Sequence, residues 1–415
     1  MPFCRNISAT SLFLILIYLC IDARGETPGC TDPKANNYNA IATQNDGSCT
    51  YNGANFSPIS SILLDSALTE TSGLIQWNNY LWSHNDDSNT KLYTLDTGTA
   101  AIQQSYMLTD VINKDWEEIS QDNNYIYIGD FGNNSSGNRT DLHILRIEKN
   151  SLVTNAAIID TIWFSYDDQT NFNPAAANQT DFDCEAFLVS TDSIYLFTKQ
   201  WISNKTSIYV LPKQPGRYNA INRGTLNIQG LATGITYLED KRLAVICGYS
   251  NLLQPFLYLL YDFKNYDFLL GNKRRIDVNL PFHQTEGIAT QNGLKYYVSN
   301  EYFSKSGITT PQKLHTFDLS NLLSNYINGL VLNNTESLKK KIKKFYPNPS
   351  KDFIYIESNS NLSAALLIIR NTNGKEILRQ NLSKEVSEIS IKHLNPGYYI
   401  ASIEGTAESF SFIKE

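Results

Sequence analysis

TEGIA, residues 285–289, is one of five short runs built to the same plan; the others are TSGLI (71–75), WEEIS (116–120), CEAFL (184–188) and ATGIT (232–236). Written one under another, they carry an apolar residue in the fourth column (Leu74, Ile119, Phe187, Ile235, Ile288) and a polar one in the second (Ser72, Glu117, Glu185, Thr233, Glu286). Residues two apart on a strand share a face, so each run predicts a strand with a polar start and a buried end on one side. The starts recur roughly every 45 to 70 residues, which marks a repeated supersecondary unit.

Each run is followed by a second strand, LWSHN, YIYIGD, YLFTK, AVICG or YYVSN, ending at Asn85, Asp130, Lys199, Gly248 and Asn300. A third strand comes next each time (KLYTLD, LHILRI, SIYVLP, FLYLLYD, KLHTFDL), and four repeats add a fourth, such as AIIDTIWFSY. The fifth repeat stops short, and SPISSILLD, residues 57–65, precedes the first repeat with no partner of its own. Radially repeated four-stranded units, one completed from the opposite end of the chain, describe an all-β, five-bladed β-propeller. Closing the ring in this way also protects the edge strands. A sixth unit within residues 167–181 is the alternative.

The surrounding chain agrees with an all-β reading. Its 415 residues are 12% aromatic, with 25 Tyr, and only 18% charged, a composition suited to strands joined by polar turns. A net charge of −7 offers no basic field for nucleic acid. Residues 1–25 hold an apolar run from Leu12 to Cys20 and small residues near Arg24, which reads as a secretory signal peptide. No stretch of the mature chain is apolar and long enough for a transmembrane helix. Export permits disulfides, and Cys30 with Cys49 brackets a module too short to bury a core, so this pair is expected to be joined. Cys184 and Cys247 read as buried small hydrophobes.

The expected domains are a Cys-bounded, Asn-rich module (26–54), the propeller (55–330), a Lys-rich linker (331–344) and a small β-sandwich (345–415). In the first of these, GCTDPKANNYNAIATQNDGSCTY resembles a Cys-bounded module of exported Bacteroidetes proteins, which implies a cell-surface setting. Its Asn and Asp residues could also offer oxygens to a hard cation. In the last, YPNPS, NTNGKEIL, LNPGYYI and FSFIKE resemble the type A C-terminal sorting domain of the type IX secretion system. That resemblance implies engagement with the type IX machinery, export across the outer membrane, and removal of the domain with release or surface attachment. The Lys run then reads as a solvated, cleavable linker.

In a propeller the first strands line the axis, so Ser72, Glu117, Glu185, Thr233 and Glu286 should converge on one mouth, joined by Asn85, Asp130, Lys199 and Asn300. Glu70, Asp86, Asp115, Asp183 and Glu301 lie in the adjoining loops. Carboxylates gathered this way repel one another unless protons or a cation neutralise them, and calcium suits oxygen ligands from several strands. Glu117, Glu185 and Glu286 are the candidate ligands, while Lys199 offers a metal-free neutralising charge. The repeats are similar to the SdiA-regulated and regucalcin-type propellers, where a metal sits on the axis. That resemblance implies the same three glutamates as ligands, with Asp130 and Asn300 as helpers. Lys199 departs from the lactonase pattern, and no base stands out among the acids. His84 is the histidine nearest the ring, and no paired metal spacing, nucleophile elbow or phosphate loop is present. Two functions follow as expectations. One is a secreted binding or scaffold protein for a small molecule, glycan or protein; the other is a calcium-dependent hydrolase of an ester, lactone or phosphoester.

Overall fold

A computed structural model describes residues 26–154, 156–305, 307–337, 342–358, 365–371, 375–382, 386–403 and 409–415. The expected signal peptide, residues 1–25, lies outside them. The chain divides into two compact units, Met1–Ala289 with Tyr297–Thr316, and Thr290–Tyr296 with Phe317–Glu415.

The first unit begins with the Asn-rich module. Its strands β1 (Pro28–Gly29) and β2 (Gln44–Asn45) pair in parallel, and Cys30 is bonded to Cys49. Its Asp and Asn side chains are engaged: Asp32 accepts from Lys34 N, Tyr51 Oη and Tyr261 Oη, Asn37 from Thr50 N, and Asp46 from Ser48 N. They act as turn and docking groups.

Strands β3 (Asn55–Phe56) and β4 (Ser60–Leu63) follow. The first meander is β5 (Thr71–Trp77), β6 (Tyr80–Asn85), β7 (Lys91–Asp96) and β8 (Ile102–Met107). The second is β9 (Trp116–Gln121), β10 (Tyr125–Asp130), β11 (His143–Glu148) and β12 (Ile159–Tyr166), with the short helix α1 (Lys149–Val153) before its last strand. The third is β13 (Asp183–Val189), β14 (Ser193–Lys199), β15 (Thr206–Pro212) and β16 (Gly216–Leu226). The fourth is β17 (Leu231–Leu238), β18 (Leu243–Tyr249), β19 (Pro255–Tyr261) and β20 (Asn272–Val278). The fifth is β21 (Thr285–Ala289), β22 (Lys295–Asn300) and β25 (Lys313–Asp318), with a small hairpin of β23 (Phe303–Lys305) and β24 (Ile308–Thr310) between the last two.

β4 supplies the missing outer strand of the fifth sheet, pairing antiparallel with β25 through Ile62 and Leu314. The inner strands touch in the cyclic order β5, β9, β13, β17, β21 and back to β5. Residues 167–181, the place of the alternative sixth unit, contain no strand. Two pairings are not visible in the repeat pattern. The outer strands β12 and β16 pair in parallel, fusing the second and third meanders into one sheet, and β3 pairs in parallel with β20.

The fourth-column residues Leu74, Ile119, Phe187, Ile235 and Ile288 are all buried. The apolar core lies between neighbouring sheets: Leu74 packs with Ala289 and Tyr297, Trp82 with Trp116, Phe131 with Phe187, and Phe197 with Phe268.

The second unit holds helix α2 (Ser320–Ser337) and a β-sandwich of two sheets. One sheet is β26 (Ile342–Tyr346), β27 (Phe353–Ser358) and, at its other edge, β30; the second is built on β28 (Ala365–Asn371) and β29 (Glu376–Leu382) with β31 and β32. The ranges of the last three are Val386–Ser390 for β30, Gly397–Ile403 for β31 and Ser409–Lys414 for β32. Ile354, Ile356 and Ile389 of the first sheet pack against Leu367, Ile369 and Phe412 of the second. The expected linker, 331–344, instead divides between the end of α2, residues 338–341 outside the description, and the start of β26.

Candidate functional site

Every inner strand breaks its ladder at the second-column residue. Pairing with the second strand skips from Cys184 to Ala186, from Ala232 to Gly234, from Thr71 to Leu74, from Thr285 to Ile288, and from Glu118 to Trp116. A bulge frees one residue from the ladder and re-aims its side chain, and here the same position is freed in each repeat. The ends of the second strands lie at the same level, with Asn85 opposite Thr71, Lys199 opposite Asp183 and Asn300 opposite Thr285.

The freed residues divide by chemistry. Ser72 Oγ donates to the Glu117 carbonyl and Thr233 Oγ1 to the Thr285 carbonyl at 2.5 Å, so both hydroxyls tie one inner strand to the next and are spent there. Glu117, Glu185 and Glu286 are buried carboxylates. Lys199 Nζ lies 3.0 Å from Glu185 Oε1, 4.8 Å from the centre of the Trp201 ring and 5.2 Å from that of Tyr249. Asp183 holds the Trp201 indole in place, accepting its Nε1–H at 2.7 Å. Among the described residues, neither the Glu117 nor the Glu286 carboxylate has a hydrogen-bond or ion-pair partner. Gly132 makes this packing possible, because a Cβ there would overlap the Glu117 and Asp115 carboxylates.

Asp130 and Asn300 do not face the ring as free ligands, whereas Asn85 keeps its Oδ1 buried and without a partner. Asn85 Nδ2 donates to Ala67 O at 2.9 Å, Asp130 accepts from Arg139 Nη2 at 2.7 Å and Lys114 N at 3.0 Å, and Asn300 Nδ2 donates to Glu301 O at 2.7 Å. Each pins a loop that carries an acid to the mouth: the segment before Glu70, the one before Asp115, and Glu301 itself. The backbone finishes the job, with Asp86 N donating to Glu70 O and Tyr302 N to Thr69 O.

The ligand-spaced group is therefore not the expected Glu117, Glu185 and Glu286. Among the described residues it is Glu70, Asp86 and Glu301, each half-buried and offering an oxygen within 4.8 Å of the others. Oxygens bound to one calcium at about 2.3–2.6 Å fall within about 5 Å of each other, so this trio fits a hard cation.

Acids outnumber bases around the trio. Burial, then the neighbouring Glu70 and Asp115, push Asp86 up to about 7; burial and Asp183 push Asp115 up to about 6; burial and Asp86 push Glu301 up to about 8. Glu117, Asp183 and Glu286 are driven well above the usual carboxylate range, first by burial. Burial works against the Lys199 ammonium, but Glu185 and the acids around it hold it well above its ordinary value. His84 lies fully buried, edge-on to Trp116, and burial lowers it to about 4, which leaves it a neutral packing group.

Sequence reading missed Tyr249, which ends β18 one residue beyond Gly248, and Trp201, two residues beyond Lys199. It also missed Glu118. This third-column residue is fully buried, whereas the other four positions of the column are Gly73, Ala186, Gly234 and Gly287. That contrast was available in the alignment.

Residues 344–414 match the family of secretion system C-terminal sorting domains. The sandwich is a type IX sorting domain. The protein is thus exported through the type IX system to the cell surface or the medium. No helix among the described residues is long and apolar enough to cross a membrane. No curated protein matches the chain. Among solved structures, the chain is similar to PorZ, an essential surface component of the type IX secretion system of Porphyromonas gingivalis, at 13% identity over 83% of this chain, with a TM-score of 0.30. It spans only 45% of that protein's length. It is also similar to the β-propeller domain of Cps50 (Swd1) from Myceliophteria thermophila, at 8% identity over 85% of this chain and 99% of the other, TM-score 0.28. A third is an exo-β-1,3-galactanase from Phanerochaete chrysosporium, at 10% identity over 85% and 99%, TM-score 0.35.

Proposed function

We propose that this protein is an exported surface binding protein whose mouth takes up a hard divalent cation, calcium by its donor chemistry, on Glu70, Asp86 and Glu301. The ion would leave part of its coordination shell open to an oxygen-bearing ligand: a glycan, a small carboxylate or a side chain of another protein. The reading rests on one observation. Two carboxylates, Glu117 and Glu286, stand only 5% and 6% exposed without a partner beside a ligand-spaced trio. An unpaired buried carboxylate costs several kcal/mol unless a proton or a cation compensates it. Lys199 pairs directly with Glu185 and attracts Glu286 from further off, one positive charge among several carboxylates.

The test is thermal unfolding of the full chain in calcium and in chelator, beside Asp86→Asn and Glu301→Gln. Calcium at about 100 times its Kd stabilises by about 2.7 kcal/mol. At roughly 2–4 °C per kcal/mol, Tm should rise by about 5–10 °C. Both substitutions should remove most of that rise. A wild-type Tm indifferent to calcium overturns the reading.

A second reading, a calcium-dependent hydrolase of an ester, lactone or phosphoester, draws on Asp115 and Asp86. Burial raises both towards neutrality, Asp115 beside the trio and Asp86 within it, which suits Asp115 to proton exchange. Calcium-dependent turnover of simple esters, lactones or phosphoesters that Asp115→Asn abolishes would favour it.

A further inference from the structure

A carboxylate that the mouth does not use, Glu118, lies deeper on the axis. Glu118 is fully buried, its Oε1 accepts the Ile119 N–H at 2.9 Å, and its Oε2 accepts the Ile235 N–H at 2.7 Å. The Leu74 N–H faces the same carboxyl, and the three N–H groups favour its charged form against burial, which drives it well above the usual carboxylate range. These donors come from the fourth column of the first, second and fourth meanders, so equivalent backbone groups of three separate sheets converge on one side chain. Inward-facing N–H groups of inner strands have no ladder partner on the axis, and a buried N–H needs an acceptor. Glycine or alanine occupies the third column everywhere else, and a Cβ at Gly73 would run into the Ile119 N–H and crowd Glu118 Oε1. The space holds a single carboxylate.

We propose that the axis carries a binding site for a small monocarboxylate anion, made of converging backbone N–H groups, and that Glu118 fills it from within the chain. Such concavities of N–H groups bind free anions elsewhere in proteins. Here the carboxyl group is tethered, which joins three sheets without a soluble ligand. The claim does not depend on a cation at the mouth.

The test uses the full chain carrying Glu118→Ala or Glu118→Gln, melted in sodium formate and in sodium chloride of equal ionic strength. Removing the carboxylate should lower Tm, and formate, a detached carboxylate small enough for the space left behind, should restore most of the loss in the Ala variant with a saturable dose dependence. Wild type should show no such saturable response. The Gln variant should melt well below wild type, because its amide NH2 would meet a backbone N–H where an oxygen accepts one. If the Ala variant does not fold in chloride, its refolding yield in formate becomes the readout. Failure of formate to rescue the Ala variant, or a Gln variant as stable as wild type, overturns the proposal; the second result would show that Glu118 acts by shape or as a neutral acid. Calcium-dependent melting of wild type is read separately, so the two accounts fail independently.

Discussion

Lys199 decides the charge balance of the mouth. It is almost fully enclosed, and among the described residues its ion-pair partner is Glu185. Breaking a buried pair from one side costs about 3–5 kcal/mol, because the remaining charge is stranded. Lys199→Met should therefore lower stability by about that much in denaturant unfolding, and Lys199→Met with Glu185→Leu should recover most of the loss. Equal losses in the single and double variants would contradict the pairing. At this scale the second column was readable from sequence, since a polar residue in five aligned runs has one simple explanation: a shared mouth. The division of labour within it was not. Whether Asn85 or Asp130 faces a ligand depends on acceptors and donors 18 and 9 residues away in loops, which no strand pattern reports.

Closure of the ring belongs to the elements. β4 reaches the fifth sheet from the other end of the repeats, and without it β25 would present an unpaired edge, a template for aggregation. Deleting residues 57–65 should abolish the single cooperative transition of the propeller and send the chain into aggregates in size-exclusion chromatography; an unchanged transition would contradict the closure. The strands were legible because period-two alternation and turn residues mark each of them. Helix α2 was not, because SNLLSNYINGLVLNNTES is rich in Asn and Ser, which hold helices poorly in isolation. The parallel pairing of β12 with β16 escaped for another reason: it joins two repeats, and register between repeats is set by how the sheets meet.

For the whole molecule, the acids of the mouth impose a pH dependence whose sign can be stated. Asp86 at about 7 and Glu301 at about 8, with Glu117, Asp183 and Glu286 also raised, keep protons in the folded state that the unfolded chain has already released. Their stabilising contribution is complete below the ordinary carboxylate range and is lost as pH rises through the folded values. His84 and His315, lowered to about 4 and about 3 by burial, act in the opposite sense only below the ordinary histidine value of 6.5. The carboxylates therefore govern the window from about 6.5 to 8. A cation on the trio would replace those protons as they leave. The most direct measurement is Tm of the full chain across that window, once in chelator and once in calcium. The account predicts a Tm that falls with pH in chelator, holds in calcium, and leaves a gap that widens towards pH 8 and closes in Asp86→Asn. Superimposable curves at every pH would contradict a cation at the mouth.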